Sequence, residues 1–405
     1  MPRLSYAVMG VAVAARLLAA QPGTAATGDA YTRYELLAPG SAKFRILYEV
    51  STTTVGAIYF FNPIRQGSVA SNEFVTDRAT GQPLPFDVVG QAVATALGVR
   101  GRDTTQTYIR IRLARPVPPN GGEARLLIDK TYEDVKSYYS SGDTIIFNRS
   151  LGIKRNAVVL PANYELISCN YPAQILRDAD GRVSVAFWNN TPGEAALVLK
   201  AIPAVSSIAS VALPRDLSAR LDERAHQNRK IVYFLQQPET HAFDLYHDFT
   251  ELKTGTSTYV NIVRAGSTVS KPSARNLDTG EELKWELIRG AEINKIAPAE
   301  PPVTATTEAV VFRFAPVRIN QSVRLRMFET YTDSARYTLI GDDLVWDRSF
   351  GRPLNTVVLP KGWQLTNSSI PATVSDFGDG RARLDFINPR PDDIAVLITA
   401  HRRIQ

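Results

Sequence analysis

The sequence predicts an all-β chain of two tandem, homologous units, each sandwich- or saddle-like, joined by one short interdomain helix. Three observations predict it. The stretch 142–161, GDTIIFNRSLGIKRNAVVLP, returns at 341–360 as GDDLVWDRSFGRPLNTVVLP, with 10 of 20 positions identical at an offset of 199 residues. A match of that length at a fixed offset marks a duplicated unit. Apolar runs are short and bounded by Gly, Pro, Asn and Ser, as in strands joined by turns. With 405 residues and a hydrophobic fraction of 44%, each half can bury its own core, and disorder is disfavoured.

Residues 1–26 read as an export signal: Arg3 near the start, an apolar run over 6–15, and the small residues Thr24, Ala25 and Ala26 before a cut at Thr27. Arg16 interrupts the apolar segment, which is too short to span a bilayer. No later stretch is long and apolar enough for a membrane helix. A periplasmic or secreted protein is therefore expected.

The first unit is expected over 27–213. Strands are read at 34–37 and 44–50, split by Pro39-Gly40-Ser41, then at 57–61 and around 74–77. The turn Ala79-Thr80-Gly81-Gln82 leads to a strand at 84–89, and 90–105 reads as loop. Residues 108–113 alternate apolar and polar, as a half-buried strand does. After the break at 116–122, strands are read at 125–131, 158–160, 164–168, 173–176, 183–188 and 195–201. Val158-Val159-Leu160 is apolar on both faces, so its strand should be covered on both sides, with Pro161 ending its ladder. Gly142, Gly152 and their twins are expected in backbone conformations closed to other residues.

The second unit, expected over 231–405, repeats this order. Tyr34 returns as Tyr233, and Arg65, Gly67 and Ser68 as Arg264, Gly266 and Ser267. Thr80-Gly81 returns as Thr279-Gly280, and Thr131, Tyr132 and Asp134 as Thr330, Tyr331 and Asp333. The offset slips once, to 201 at Arg112-Leu113-Ala114 against Arg313-Phe314-Ala315, so the loop 116–123 is two residues longer than its partner. Between the units, over 214–230, Asp216 reads as the N-cap of a helix at 216–228, with Leu217, Leu221 and Ala225 on one face.

Composition excludes several functions. Formal charge is +6, or about +4 without Arg3 and Arg16, and the charges are interspersed. No basic run offers a phosphate-binding face, so no nucleic acid is expected. The single Cys169 allows no intramolecular disulfide, and the first unit holds no His to activate a thiol. The four His begin no HExxH; His241 and His247, on one face of a straight strand, would lie about 20 Å apart, too far for one metal ion. There is no GxSxG, no Walker loop and no GxGxxG after a strand. Neighbouring carboxylates such as Glu281-Glu282 and Asp342-Asp343 point apart and form no acid/base pair. Neither a cofactor nor an enzyme is expected.

The candidate site is a repeated polar set: Tyr132, Asp143, Arg149, Ser150 and Asn156, with Tyr331, Asp342, Arg348, Ser349 and Asn355. Read functionally, each set is a pocket whose Arg grips a carboxylate or a sugar hydroxyl. Read structurally, the Arg bonds Asp and loop carbonyls and ties two strands together. Polar corners of β-domains need such ties, which favours the structural reading, while duplication favours neither.

The order of short strands, the Gly-Ser and Thr-Gly turns, and Val-Val-Leu-Pro followed by Tyr164 or Trp363 resemble the β-rich N-terminal domain of M1/M61-type metallopeptidases. The resemblance implies a β-sandwich or saddle twice over. It implies no peptidase activity, because nothing here matches that family's zinc helix. The chain is also similar to exported bacterial proteins built from the same duplicated unit. The first expectation for function is a non-enzymatic protein of the cell envelope that binds a protein, peptide or glycan. Its alternatives are an enzyme with a site near Arg149 or Arg348, and a structural scaffold of the envelope.

Overall fold

The computed structural model describes residues 27–101, 103–191, 193–205, 214, 217, 220–227, 229–296 and 303–403. The expected export signal lies outside them. The first unit runs through β1 (Thr27–Leu36), β2 (Lys43–Thr52), β3 (Tyr59–Pro63), β4 (Val69–Asp77), β5 (Phe86–Gly90), the helix α1 (Gln91–Ala96), β6 (Thr107–Arg112), β7 (Ala124–Glu133), β8 (Tyr138–Ser141), β9 (Thr144–Leu151), β10 (Arg155–Val159), β11 (Tyr164–Cys169), β12 (Gln174–Arg177), β13 (Val183–Trp188) and β14 (Ala195–Pro203). The second runs through β15 (Arg229–Leu235), β16 (Ala242–Glu251), β17 (Thr258–Ile262), β18 (Thr268–Asn276), β19 (Lys284–Arg289), the helix α2 (Ala291–Ile296), β20 (Glu308–Arg313), β21 (Val323–Thr332), β22 (Tyr337–Ile340), β23 (Asp343–Phe350), β24 (Leu354–Val358), β25 (Trp363–Ser368), β26 (Thr373–Asp376), β27 (Ala382–Ile387) and β28 (Ile394–Arg402).

The two halves have one topology. A seven-stranded sheet, β12-β13-β10-β1-β2-β7-β4, is matched strand for strand by β26-β27-β24-β15-β16-β21-β18. The four-stranded β11-β14-β9-β8 is matched by β25-β28-β23-β22, and the three-stranded β3-β6-β5 by β17-β20-β19. In the first unit both smaller sheets cover one face of the large sheet. Ile109 and Ile111 of β6 and Ile145 and Phe147 of β9 share a core with Leu126, Ile128 and Tyr132 of β7. As its all-apolar run requires, β10 is buried at every residue, between β13 and its parallel partner β1.

Four expectations need correction. The loop read at 90–105 contains α1, a six-residue helix anchored by buried Ala94 and Gln91. The helix expected at 216–228 lies partly outside the described residues; Leu217 is helical, while 220–227 form turns and bends. Those turns lie on the outer face of the first unit's large sheet. Tyr31 Oη donates to Glu223 at 2.7 Å, and Arg155 Nη1 donates to the Ala225 carbonyl at 2.8 Å. The apolar spacing of Leu221 and Ala225 therefore does not make one helical stripe: Ala225 is buried and Leu221 is exposed. Gly142 and Gly341 do take φ of +59° and +60°, but Gly152 and Gly351 have no positive φ. His241 precedes β16 in a left-handed conformation, φ +53°, so it shares no strand face with His247.

The units meet through the same surface on each side. Glu123 N donates to the Leu277 carbonyl at 2.8 Å, and Ser322, the twin of Glu123, donates from N to the Ala79 carbonyl at 3.3 Å. Ser322 Oγ reaches the carbonyl of Arg78, the twin of Leu277, at 2.6 Å. Such reciprocity is the mark of an isologous, two-fold-like contact. The loop that is longer in the first unit lies in this contact: Arg275 Nη1 donates to the Asn120 carbonyl at 2.9 Å. Among the described residues no helix is long and apolar enough to cross a membrane.

Candidate functional site

Arg149 on β9 and Arg348 on β23 occupy one place in the two units, each buried. Arg149 Nη1 is 3.1 Å from Asp134 Oδ2 and 3.0 Å from Ser137 Oγ. Arg348 Nη1 is 3.1 Å from Asp333 Oδ2, but position 336, the twin of Ser137, is an arginine and gives it no second acceptor. Ser68 and Ser267 donate to the same carboxylates, at 3.0 and 2.8 Å. The repeated Arg-x-Gly-Ser is thereby explained: its hydroxyl braces the aspartate that holds the buried guanidinium.

Most of the repeated polar set is brought together. Asn156 Nδ2 ties the Ile153 carbonyl at 2.7 Å, and Asn355 Nδ2 ties that of Arg352 at 2.8 Å. Tyr132 Oη accepts from the Arg65 amide at 3.4 Å, and Tyr331 Oη from Asn261 Nδ2 at 3.3 Å. Arg65 bonds the Ser150 carbonyl at 3.0 Å, and Arg264 bonds Ser349 Oγ at 2.6 Å. Asp143 and Asp342 do not belong to this set. Both are exposed in the turns before β9 and β23, six residues or about 20 Å along the strand from the arginines. The acids of the corner are Asp134 and Asp333, whose repetition at the same offset was the available signal.

Around this shared frame the units differ. In the second unit the buried hydrophobic residues form two clusters, one on Trp346 and Phe243 under the four-stranded sheet and one on Phe312 and Met327 under the three-stranded sheet. Beside the first of these, bordered by Ile231, Tyr233, Leu245 and Tyr331, lies a cavity of about 410 Å³. The first unit has a single cluster across the same span, with Tyr48 in it and Ile153 packed against it. Their twins are His247 and Arg352. Two polar side chains in place of two largely apolar ones divide the core, since a guanidinium cannot sit unsolvated among aliphatic groups.

Five arginines line the cavity, Arg224, Arg229, Arg264, Arg348 and Arg352, against two carboxylates, Glu329 and Asp393. Asp393 stands 3.7 Å from Arg264, and its Oδ2 accepts from Ser349 Oγ at 2.9 Å. Glycine at 351 permits this approach, because a Cβ there would sit 2.3 Å from Asp393 Oδ1. Arg224 arrives from the segment between the units and donates to the Gly351 and Asn388 carbonyls. Arg352 Nη2 donates to Tyr259 Oη at 3.1 Å and to His247 Nδ1 at 3.3 Å, which places the imidazole proton on Nε2, an atom with no partner. Burial and the charges of Arg352 and Arg229 hold His247 well below the usual imidazole range, so it is neutral. Arg224, Arg229 and Arg352 have no carboxylate within ion-pair distance among the described residues. None of Arg229, His247, Glu329 and Arg352 keeps its residue type in the other copy, so a search for repeats passes over them.

Position 329 and its twin 130 carry opposite charges. Burial pushes Glu329 up to about 7, with Asn261 Nδ2 donating to both carboxylate oxygens at 2.9 and 2.7 Å. Burial pushes Lys130 down to about 7, with Nζ bonded to Asn62 and Tyr132. Glu329 binds its proton more tightly in the fold than in the unfolded chain, where the ordinary value is 4.5. Its contribution to stability is therefore whole below pH 4.5 and is lost as pH rises to about 7, a fall of about 3 kcal/mol. Lys130 runs the other way, its cost being relieved between about 7 and 10.5. Thermal melts of Glu329→Gln should show a smaller loss of stability between pH 5 and pH 8 than the parent protein. Equal losses would contradict this assignment.

Among the described residues no group of three or more His, Cys, Asp or Glu is placed to hold a metal ion. No protein-family model matches the chain, and no curated protein does so. Among solved structures, an M1 zinc metallopeptidase from Deinococcus radiodurans, bound to a tripeptide substrate, aligns over 47% of this chain at 11% identity and a TM-score of 0.30. The alignment spans 50% of that enzyme's chain. The collagen adhesin of S. aureus aligns over 79% of this chain and 84% of its own, at 8% identity and a TM-score of 0.15. At these scores neither likeness carries a functional argument.

Proposed function

We propose that this is a non-enzymatic, exported binding protein of the cell envelope, and that its second unit receives an acidic group of a protein, peptide or glycan partner. One observation carries the reading. The two copies share a structural frame, Arg–Asp–Ser with a bracing Asn, yet only the second replaces core residues with His247 and Arg352 and so opens a cavity with an excess of arginine. An arginine cluster without matching acids favours an anion, and its planar forks suit a carboxylate. The export pattern at the N-terminus supports an envelope setting.

The test is calorimetric titration with an acetylated triglutamate peptide and its triglutamine counterpart. The parent protein should bind the acidic peptide alone. Arg352→Ala should weaken that binding by at least about tenfold, because it removes a cavity cation that forms no ion pair among the described residues. Equal affinity for both peptides, or an unchanged Arg352→Ala protein, would refute the reading. A second reading, an enzyme at this corner, is favoured by Glu329, whose carboxyl titrates at about 7 beside the cavity. Turnover of a peptide or ester substrate that disappears in Glu329→Gln while binding persists would establish it instead.

A further inference from the structure

The large sheet of the second unit has two faces, and the cavity described above uses only the inner one. Side chains alternate along a strand, so the neighbours of Ile231, His247 and Asn355 point the other way, towards the first unit. There they form the floor of a second cavity, of about 510 Å³, lined by both units. Its floor holds two rows, staggered by two residues where Lys230 pairs with Leu354. Arg326, Asp248 and Lys230 face one another across three adjacent strands, and Thr356, Asp385 and Thr373 across three more. Arg326 forms a two-pronged pair with Asp248 at 2.7 and 2.9 Å, and Thr356 Oγ1 donates to Asp385 at 2.6 Å. From the first unit come half-buried Trp188 and the exposed amide of Asn190, while the buried Asn189 amide is spent on Leu151, Gly193 and Thr191. The indole Nε1 of Trp188 has no hydrogen-bond partner within the protein.

We infer that this interunit cleft is a binding site for an extended, acidic oligosaccharide. Arg326 and Asp248 satisfy each other, as do Arg383, Thr356 and Asp385, which leaves Lys230 as the floor cation without an acid partner among the described residues. An aromatic ring beside the Asn190 amide offers a face for a pyranose, with its apolar C–H groups against the ring and a hydroxyl at the amide. Six cations line the cleft against three carboxylates, which selects an acidic sugar over a neutral one. A peptide cannot add here as a strand, since strands join sheets at open edges and this floor is the face of the sheet. The site is distinct from the arginine-lined cavity on the opposite face, with Asn355 alone common to their linings.

The test uses the full chain, with a galacturonate tetrasaccharide as probe and cellotetraose as the uncharged control. Titration of the parent protein with the acidic probe should give saturable heat and a saturable change in tryptophan emission. Trp188→Phe should abolish the emission change and weaken binding by about tenfold. Lys154→Ala with Lys230→Ala, which removes both lysines of the cleft lining, should weaken binding and flatten its dependence on salt. Arg352→Ala should leave it unchanged, which separates this site from the other. Absence of saturable heat, equal affinity for cellotetraose, or full binding by Trp188→Phe would each overturn the inference. A loss on Arg352→Ala instead of Trp188→Phe would move the sugar to the other cavity and overturn it equally.

Discussion

Replacing Asp278 with alanine should destabilise the chain more than any surface substitution, because it strands a buried cation between the units. Asp278 and Arg125 form a two-pronged pair at 2.6 and 2.7 Å with side chains only 4% and 8% exposed. Asp278 Oδ2 also accepts the Arg324 amide at 2.9 Å, and its carbonyl accepts from Arg115 Nε at 2.5 Å. Removing one partner of a buried pair typically costs about 3–5 kcal/mol, since the survivor keeps its desolvation penalty and loses its counter-charge. For domains of this size each kcal/mol shifts the midpoint by about 2–4 °C, so differential scanning calorimetry should show a drop of roughly 6 °C or more. Removing both charges, as Arg125→Met with Asp278→Leu, should recover much of the loss, because two apolar groups leave nothing unpaired. A single variant that melts with the parent, or a double variant worse than the single, would show that the pair does not hold the units together.

A second large effect is expected at Gly81, and glycine substitutions can grade it. Gly67, Gly81 and Gly280 all have positive φ, +82°, +70° and +76°. Alanine in that region costs about 1–2 kcal/mol from the backbone alone. At Gly67 nothing lies within 4 Å of the added Cβ, so only that cost applies. At Gly280 the Cβ would meet Pro118 Cβ at 3.0 Å, and at Gly81 it would meet the Asn320 carbonyl oxygen at 2.3 Å. The last contact is with backbone across the interface, which cannot rotate away, so a further 1–3 kcal/mol or so is expected there. Denaturant titration should rank the losses as Gly81→Ala, then Gly280→Ala, then Gly67→Ala. Gly81→Ala no worse than Gly67→Ala would argue against this close approach of the two units.

These interface contacts show where sequence reading succeeds and where it stops. The duplication was legible because residues with a demanding local role recur: Ser68 and Ser267 on their aspartates, Asn156 and Asn355 on the loop carbonyls, Val158 and Val357 buried in the central strand. The pairing of Arg149 with Asp134 was not, since the fold joined it to a residue in the turn between β7 and β8, 15 positions back, while Asp143 was merely nearer in sequence. The six residues of α1 fell below the length at which helical periodicity can be seen. The stretch 220–227 was misread as helix because Ala225 is buried beside Tyr31 and Arg155, which no local pattern reveals. Arg352, His247 and Glu329 were invisible for a different reason. They matter because they break the repeat, and what is unique to one copy leaves no trace in a comparison of the two.

The reciprocal surface between the units has a further consequence. A face that matches itself would draw separate molecules into pairs; in a tandem chain it is already occupied from within. Covalent linkage also releases the two sides from having to be alike. Asp278 sits opposite Arg125 on one side of the contact, while its twin on the other side is Ala79 and the twin of Arg125 is Arg324. A symmetric pair of identical molecules would have to carry such a bridge twice or not at all, whereas a fused pair can carry it once.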